Sequence, residues 1–215
     1  MISRKSSLLL GLLLLGTWAG AQMTKIRALR PPAGAQVAIV VFEDLQCPDC
    51  KRAAPLLAEA ARTYKIPLVR HDFPLPMHNW SFDAAIFARF FDTKSKKMGD
   101  EFRDYIFQNQ EQVKRETLRR FAEDFAADRK VDVPFVVDPR GELEKKVKAD
   151  YALAQAVGVE HTPTIYVVSN KESGTPFVEV VDRSQLFQLI DKMKREAGPV
   201  SATASKGTKK SATPQ

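Results

Sequence analysis

The sequence predicts a single mixed α/β domain whose small central sheet is interrupted by a helical insertion. Near the start, two short apolar runs flank a helical pattern, as in a strand–helix–strand unit. Far downstream, two more strand-like runs and an amphipathic helix follow, as in a hairpin that closes the same sheet. The residues in between, about 79–157, carry helical periodicity. Because domains of ~100–200 residues are common, residues 22–197 fit one domain.

Three segments define the opening strand–helix–strand unit. Residues 36–43 predict a buried strand, because Val and Ile dominate a short run without polar alternation. Residues 48–64 predict a helix, because small apolar residues recur on one face. Residues 68–73 predict the second strand, which Pro74 and Pro76 end.

The inserted block predicts several helices with aromatic residues at helical spacing. Such stripes are typical of helix faces that pack into a core. The last of these helices runs from about Leu143 to Ala156, while the apolar patch at 131–139 fits neither a helix nor a strand. The apolar stripe residues are Trp80, Phe82, Ile86, Phe87, Phe90, Phe91, Phe102, Tyr105, Ile106, Leu118, Phe121, Ala122 and Phe125.

After Thr162-Pro163 the spacing of apolar residues again becomes that of β-strands. Residues 164–168 and 177–181 predict two strands separated by a polar turn. Residues 184–194 predict an amphipathic helix. These elements return the chain to the sheet, so the helical block is an insertion within one domain.

Residues 1–21 predict a cleaved secretory signal peptide. Basic residues precede an apolar run, and Ala19-Gly20-Ala21 offers the small residues that a signal peptidase reads. A membrane anchor is the alternative, but the run from Leu8 to Leu15 is far shorter than the ~20 residues that span a bilayer. Cleavage after Ala21 predicts a periplasmic or secreted protein without stable membrane insertion, in an oxidising compartment.

Positive charge is concentrated at the two ends of the chain. The formal net charge is +7, and five positive charges lie in the signal peptide and the tail, at Arg4, Lys5, Lys206, Lys209 and Lys210. The rest of the chain shows no basic cluster on one element, so no nucleic-acid partner is expected. Residues 198–215 predict a disordered tail, because they hold too little apolar surface to order themselves.

The only two cysteines form the motif Cys47-Pro48-Asp49-Cys50 at the predicted start of the first helix. Pro48 suits the first helical position, which makes Cys47 the N-cap. The free backbone N–H groups of Asp49 and Cys50 and the helix dipole should then favour a thiolate at Cys47. We therefore expect Cys47 to be the exposed nucleophile and Cys50 to resolve mixed disulfides.

The cysteine motif and two other segments carry a family resemblance. Residues 41–51 around the motif, residues 73–78 (Phe-Pro-Leu-Pro-Met-His) and residues 158–164 (Gly-Val-Glu-His-Thr-Pro-Thr) form this set, together with Pro55. The chain resembles the DsbA-like thiol-disulfide oxidoreductases of the thioredoxin-fold superfamily over about residues 37–194. The resemblance implies a thioredoxin fold with a helical insertion and no bound cofactor.

The resemblance also implies a cis bond between Thr162 and Pro163 beside the cysteines. The backbone of Thr162 could there pair with an extended substrate segment. His161 adjoins this bond and could favour the thiolate of Cys47, whereas His71 and His78 are expected to be structural. The predicted substrate-binding and redox-tuning residues are Pro48, Asp49, His161, Thr162 and Pro163.

The sequence departs from the family pattern close to the cysteines. Family members often carry a buried acid six residues before the first cysteine, where this chain has Val41. Glu43 and Asp44 could instead transfer protons to the buried thiol, or they could stay solvated, which is our expectation. Asp49 stands where strongly oxidising members often have histidine, and its charge should raise the pKa of Cys47.

These features predict an exported oxidoreductase that exchanges disulfides with unfolded or partly folded proteins through Cys47 and Cys50. A membrane redox partner is a further expected contact, and the direction of exchange stays open. One alternative is a metal-binding chaperone, although a closed zinc site needs four ligands, of which the cysteines supply two. The other is a non-catalytic binding protein of the same fold with an inert disulfide. No metal site is predicted.

Overall fold

The computed structural model describes residues 29–172 and 174–197. The predicted signal peptide (1–21) and the predicted tail (198–215) lie outside the described residues. Those two predictions, and the domain boundaries that depend on them, therefore stay predictions.

Four strands form one mixed sheet in the spatial order β2-β1-β3-β4. They are β1 (Val37–Glu43), β2 (Leu68–Asp72), β3 (Thr164–Ser169) and β4 (Phe177–Glu179). β1 pairs in parallel with β2 and antiparallel with β3, which pairs antiparallel with β4. The predicted mixed sheet is confirmed. β4 ends earlier than expected, because the chain leaves the sheet and enters a short 3₁₀ turn, Arg183–Gln185.

Six helices accompany the sheet in the described part of the chain. Helix α1 connects β1 to β2, four helices lie between β2 and β3, and α6 follows β4. The predicted helical insertion is therefore confirmed. The helices are α1 (Pro48–Tyr64), α2 (Ser81–Asp92), α3 (Lys96–Asn109), α4 (Leu118–Ala127), α5 (Glu142–Val157) and α6 (Leu186–Glu196).

Both faces of β1 are covered, which explains why its sequence is continuously apolar. Its odd-numbered residues from Val37 to Val41 pack with Leu57 of α1 and Ile190 of α6. Its even-numbered residues from Ala38 to Phe42 pack with Val157 of α5. The sheet is thus the middle layer between α1 and α6 on one side and α5 on the other.

A separate apolar core lies within the helical insertion. Phe102 is its centre, with ring centroids 4.7 Å from Phe91 and 5.2 Å from Phe125. These aromatic residues are buried, as their spacing predicted. The same core includes Cys47 and Cys50, so the cysteine motif lies where the insertion meets the sheet layer.

The unassigned patch at 131–139 forms neither helix nor strand. Arg119 holds this loop by donating hydrogen bonds from Nη1 to the carbonyl of Phe135 (2.9 Å) and from Nη2 to that of Pro134 (3.0 Å). The Phe135 side chain is 91% exposed. Among the described residues, none of the helices combines the length and apolar character needed to cross a bilayer.

Candidate active site

Cys47 is the N-cap of α1, and Pro48 occupies the first helical position. Its backbone is extended (φ −74°, ψ 120°), and its N–H donates to the carbonyl of Asp44 at 3.0 Å. Both cysteines are free thiols, with exposed fractions of 7% for Cys47 and 2% for Cys50. The expectation of an exposed Cys47 is wrong, because this residue packs into the core of the helical insertion.

The pKa values of the two thiols are shifted in opposite directions, down for Cys47 and up for Cys50. The pKa of Cys47 is lowered to about 5, chiefly by a hydrogen bond from the Cys50 thiol and further by the adjacent Thr162. The backbone N–H groups of Cys50 and Asp49 add a smaller effect in the same direction. None of these N–H groups meets hydrogen-bonding geometry with the Cys47 sulfur, so their contribution is a weak electrostatic one.

Cys50 is held as a thiol. Burial raises its pKa, and the hydrogen bond to Cys47 raises it further. The backbone N–H of Asp44 donates to Cys50 Sγ at 3.4 Å and opposes this rise. The pair therefore combines one acidic thiol with one thiol that stays protonated, and both are buried.

The Thr162–Pro163 bond is cis, as the resemblance implies. The Cys47 thiol contacts the carbonyl oxygen of Thr162 at 3.4 Å, which brings β3 to the redox turn. His161 is exposed, and its Nδ1 lies 3.1 Å from Oγ1 of Thr164. The hydrogen bond of this ring is thus made with Thr164.

The carboxylate of Asp49 is paired with two arginines, which the sequence did not predict. Its carboxylate is bound by Arg183, whose Nη2 lies 2.6 Å and 2.7 Å from the two oxygens, and by Arg52 at 3.0 Å. These cations hold the pKa of Asp49 below its usual value, chiefly through the hydrogen bond from Arg183. The pKa of Cys47 is lowered rather than raised, so the net rise expected from a charge at Asp49 is not found.

Glu43 and Asp44 are buried, with exposed fractions of 4% and 1%, so the expectation of solvated side chains is wrong. The reason for Glu43 is Arg70, whose Nε and Nη2 donate to its two carboxylate oxygens at 2.6 Å and 3.3 Å. Burial raises the pKa of Glu43, and the pair with Arg70 opposes that rise. A buried carboxylate thus lies in β1, two residues after the family position at Val41.

Asp44 is buried because it binds the loop that follows β2. Its Oδ2 accepts hydrogen bonds from the N–H of Leu75 (2.6 Å) and lies 2.8 Å from Nδ1 of His78. Its Oδ1 accepts from the N–H of Gln46 at 2.7 Å. Asp44 therefore fixes the turn before Cys47, and its contact explains the structural role expected for His78.

Gln110 at the end of α3 is a site residue that the sequence did not reveal. Its Nε2 donates to the carbonyls of Leu45 (2.8 Å) and Cys47 (3.0 Å), and so ties the insertion to the redox turn. Arg183 was missed as well, since it lies 134 positions from Asp49. A single polar residue in an insertion or a turn carries no distinguishing pattern.

A shallow groove beside Cys47 is lined by Asp49, His161, Pro163, Val181 and Arg183. Val181 is 89% exposed there and offers an apolar surface next to the cis bond. Within the described ranges, no group of three or more His, Cys, Asp or Glu side chains is arranged to hold a metal ion. The arrangement supports thiol chemistry at one reactive sulfur, next to a groove that can receive a polypeptide.

Comparison with known proteins adds a family and a fold. The family model described as thioredoxin matches residues 32–191. No curated protein matches the sequence. Among solved structures, the thiol-disulfide exchange protein alpha-DsbA2 from Wolbachia pipientis is 18% identical, with a TM-score of 0.63, covering 80% of this chain and 95% of that one.

Two further structures have the same fold. DsbA2 of Pseudomonas aeruginosa is 21% identical (TM-score 0.55), covering 79% of this chain and 94% of that one. The catalytic domain of ScsC from Proteus mirabilis is 17% identical (TM-score 0.62), covering 80% and 96%. Because these identities are low, the likeness shows a shared fold.

Proposed function

Because the chain belongs to the thioredoxin family, we propose that it is an exported oxidoreductase that exchanges disulfides with protein substrates through Cys47 and Cys50. A substrate thiolate attacks the Cys47–Cys50 disulfide at Cys47 and releases Cys50, which takes up a proton. A second substrate thiolate then attacks the mixed disulfide, forms the substrate disulfide and releases Cys47 as a thiolate. The two electrons pass from the substrate to the protein.

The opposite acidities of the two thiols carry this proposal. The sulfur with a pKa of about 5 is a good leaving group and lies beside the groove, while the other sulfur is buried and protonated. A strand end with a backbone carbonyl beside Cys47 suits an extended segment of an unfolded protein. Unfolded or partly folded exported proteins are therefore the proposed substrates.

The lowered pKa of Cys47 also favours one direction of exchange. A stabilised thiolate lowers the free energy of the reduced protein, and this makes its disulfide a stronger oxidant. We therefore propose net transfer of disulfides to substrates, with a membrane redox partner to reoxidise the dithiol. The Wolbachia relative described as a thiol-disulfide exchange protein supports exchange in general, in either direction.

Trapping of mixed disulfides tests the proposal. In the Cys50→Ala variant the resolving sulfur is absent, so substrate proteins should accumulate on Cys47 as adducts that a reductant releases. The matched Cys47→Ala variant should trap none. A Cys50→Ala protein that forms no adducts with exported proteins would favour the non-catalytic alternative, and stoichiometric zinc in the purified protein would favour the metal-binding one.

Export is tested separately from chemistry. The signal peptide proposed for residues 1–21 should be removed in the exporting cell, so the mature protein should begin at Gln22. N-terminal sequencing and cell fractionation measure this outcome. An intact N-terminus in the cytoplasmic fraction would contradict export without affecting the exchange reaction.

A further inference from the structure

The carboxylate of Asp49, in the dipeptide between the two cysteines, is bound by two arginines. Arg183 Nη2 contacts both carboxylate oxygens, at 2.6 Å and 2.7 Å, and Arg52 contacts one of them at 3.0 Å. The side chains of Asp49 and Arg183 are each about one-third exposed, at 34% and 35%. Arg52 is 67% exposed, so Arg183 makes the closer and better shielded pair.

Arg183 contacts Asp49 although it lies 134 positions further along the chain. It begins the 3₁₀ turn after β4, and Asp182 caps this turn by accepting a hydrogen bond from the N–H of Ser184 at 2.9 Å. The turn follows β4, and β4 pairs with β3. The cis bond beside Cys47 directly precedes β3. The position of the Arg183 guanidinium is thus set by a capped turn that directly follows the sheet.

We propose that Arg183 is a positioning residue of the redox centre, which neutralises the Asp49 carboxylate beside Cys47 and thereby keeps Cys47 ionised. An unpaired carboxylate two residues from a thiolate would disfavour ionisation of that sulfur. Pairing with a guanidinium removes most of this repulsion, because the opposite charges lie within hydrogen-bonding distance of one another. Arg183 therefore offsets the negative charge that distinguishes this dipeptide.

Other charged groups around the groove do not duplicate this role. His161 is hydrogen-bonded to Thr164, and Glu179 interacts with Tyr166 in the neighbouring strand. Arg52 lies on α1 with its guanidinium largely in solvent, where salt and water weaken its effect. Arg183 is the cation that both lines the groove and contacts the two carboxylate oxygens, through its Nη2.

The proposal predicts a measurable shift in acidity. Replacing Arg183 by Gln should raise the pKa of Cys47 by about 0.5–1 unit, since it exposes the charge of Asp49. If the chain is the oxidoreductase proposed above, the same change moves the glutathione equilibrium about three- to tenfold towards the disulfide form. The protein becomes a weaker oxidant.

A mutant cycle tests the inference, with the pKa of Cys47 read from thiolate absorbance as a function of pH. Arg183→Gln should raise the pKa of Cys47. Arg183→Lys keeps the positive charge, so it should raise this pKa less, and Arg52→Gln should also raise it less than Arg183→Gln. In the double variant Asp49→Asn, Arg183→Gln the pKa should return close to that of the unmodified protein. This recovery separates charge compensation from a loss of folding.

Two outcomes would overturn the inference. One is an unchanged pKa in Arg183→Gln, and the other is a shift that persists in the double variant, which would mean that Asp49 is not the group being compensated. The readout needs no substrate. Trapping by Cys50→Ala can therefore succeed while this inference fails, and this inference can succeed while trapping fails.

Discussion

At the scale of single residues, the chemistry of the site depends on the different pKa values of two identical side chains, Cys47 and Cys50. Cys47 receives a hydrogen bond from Cys50, and its pKa falls to about 5. Cys50 lies three residues further along the same helix, and burial raises its pKa. A thiolate is far more reactive than a thiol, so this difference gives the two sulfurs different steps in the proposed exchange.

Selective alkylation follows from this difference. In the reduced protein at pH 6–7, iodoacetamide should modify Cys47 at least tenfold faster than Cys50, since Cys47 is mostly ionised there. The rate at Cys47 should rise with pH around a midpoint of about 5. Peptide mass spectrometry after a short pulse measures both rates. Equal labelling, or a midpoint near that of an ordinary thiol, would contradict the assignment.

The sequence predicted two local features of the candidate site. These are the helix that starts at the Cys47–Cys50 motif and, through the family resemblance, the cis bond before Pro163. The partners of Asp49 and Glu43 were not predictable, because Arg183 and Arg70 are distant in sequence. An acidic residue without a visible partner is expected in water, and this is why Glu43 and Asp44 were expected to be solvated.

At the scale of elements, a buried ionic network joins the sheet to the insertion. Arg103 of α3 is fully buried and donates to Asp72 at the end of β2 and to Asp92 at the end of α2. Arg89 of α2 pairs with Asp72 and with Asp150 of α5. Four elements thus meet through charged groups that are shielded from water.

Removing Arg103 should therefore destabilise the whole domain. Arg103→Met leaves the carboxylates of Asp72 and Asp92 short of a cation in a buried place, and we expect a loss of about 3–5 kcal/mol in the free energy of unfolding. Lys145→Met is the matched control, because its pair with Glu142 is exposed (68% and 59%) and should contribute much less to stability. Urea denaturation measures both. Equal losses of stability in the two variants would mean that the buried ionic network does not stabilise the domain.

Gly99 permits the close approach of α3 to the end of α2. A Cβ at this position would lie 1.9 Å from Oδ1 of Asp92 and 2.6 Å from its Cγ. Gly99→Ala must therefore displace Asp92 from Arg103, and we expect a loss of about 1–3 kcal/mol in stability. In an Asp92→Ala background the clash with the carboxylate is removed and only the 3.0 Å contact with the backbone nitrogen of residue 92 stays, so the same change should cost much less stability. Thermal unfolding of the four proteins measures this difference, and an equal loss in both backgrounds would contradict the steric reason.

The helices and strands were largely predictable, whereas the contacts between elements were not. The apolar pattern from Val37 to Phe42 and the aromatic stripes reflect burial, which leaves a periodic signal in the sequence. The ionic network leaves no such signal, since Arg70 and Arg103 occur among residues that also suit a solvated surface. Such pairings depend on the relative placement of elements, and periodicity carries no information about it.

At the scale of the whole molecule, the candidate active site lies where the core of the sheet layer meets the core of the insertion. The sheet layer supplies Thr162 and the turn from Glu43 to Cys47, while the insertion supplies Gln110, which hydrogen-bonds Leu45 and Cys47. Cys47 and Cys50 pack into the core of the insertion. The ionisation of Cys47 is therefore coupled to the folding of the complete domain.

This coupling predicts how stability depends on pH and redox state. The pKa of Cys47 is about 5 in the folded protein and close to the ordinary cysteine value of 9.0 when unfolded, so the unfolded reduced chain binds more protons between these values. The stabilisation from the thiolate is therefore fully present above about pH 9 and is lost as the pH falls through about 5. The raised pKa of Cys50 acts oppositely, but only at pH values above its ordinary range.

Denaturation of the reduced and oxidised forms at several pH values measures this dependence. Between pH 5.5 and 8, the stability of the reduced form relative to the disulfide form should increase by up to about 1.4 kcal/mol per pH unit, the slope for one proton. All other titrating groups are common to both forms and cancel in the difference. The Cys47→Ala variant under reducing conditions is the control and should lack this slope. A flat difference across the range would mean that Cys47 is protonated in the folded protein, and the proposed exchange would then need another source of nucleophilicity.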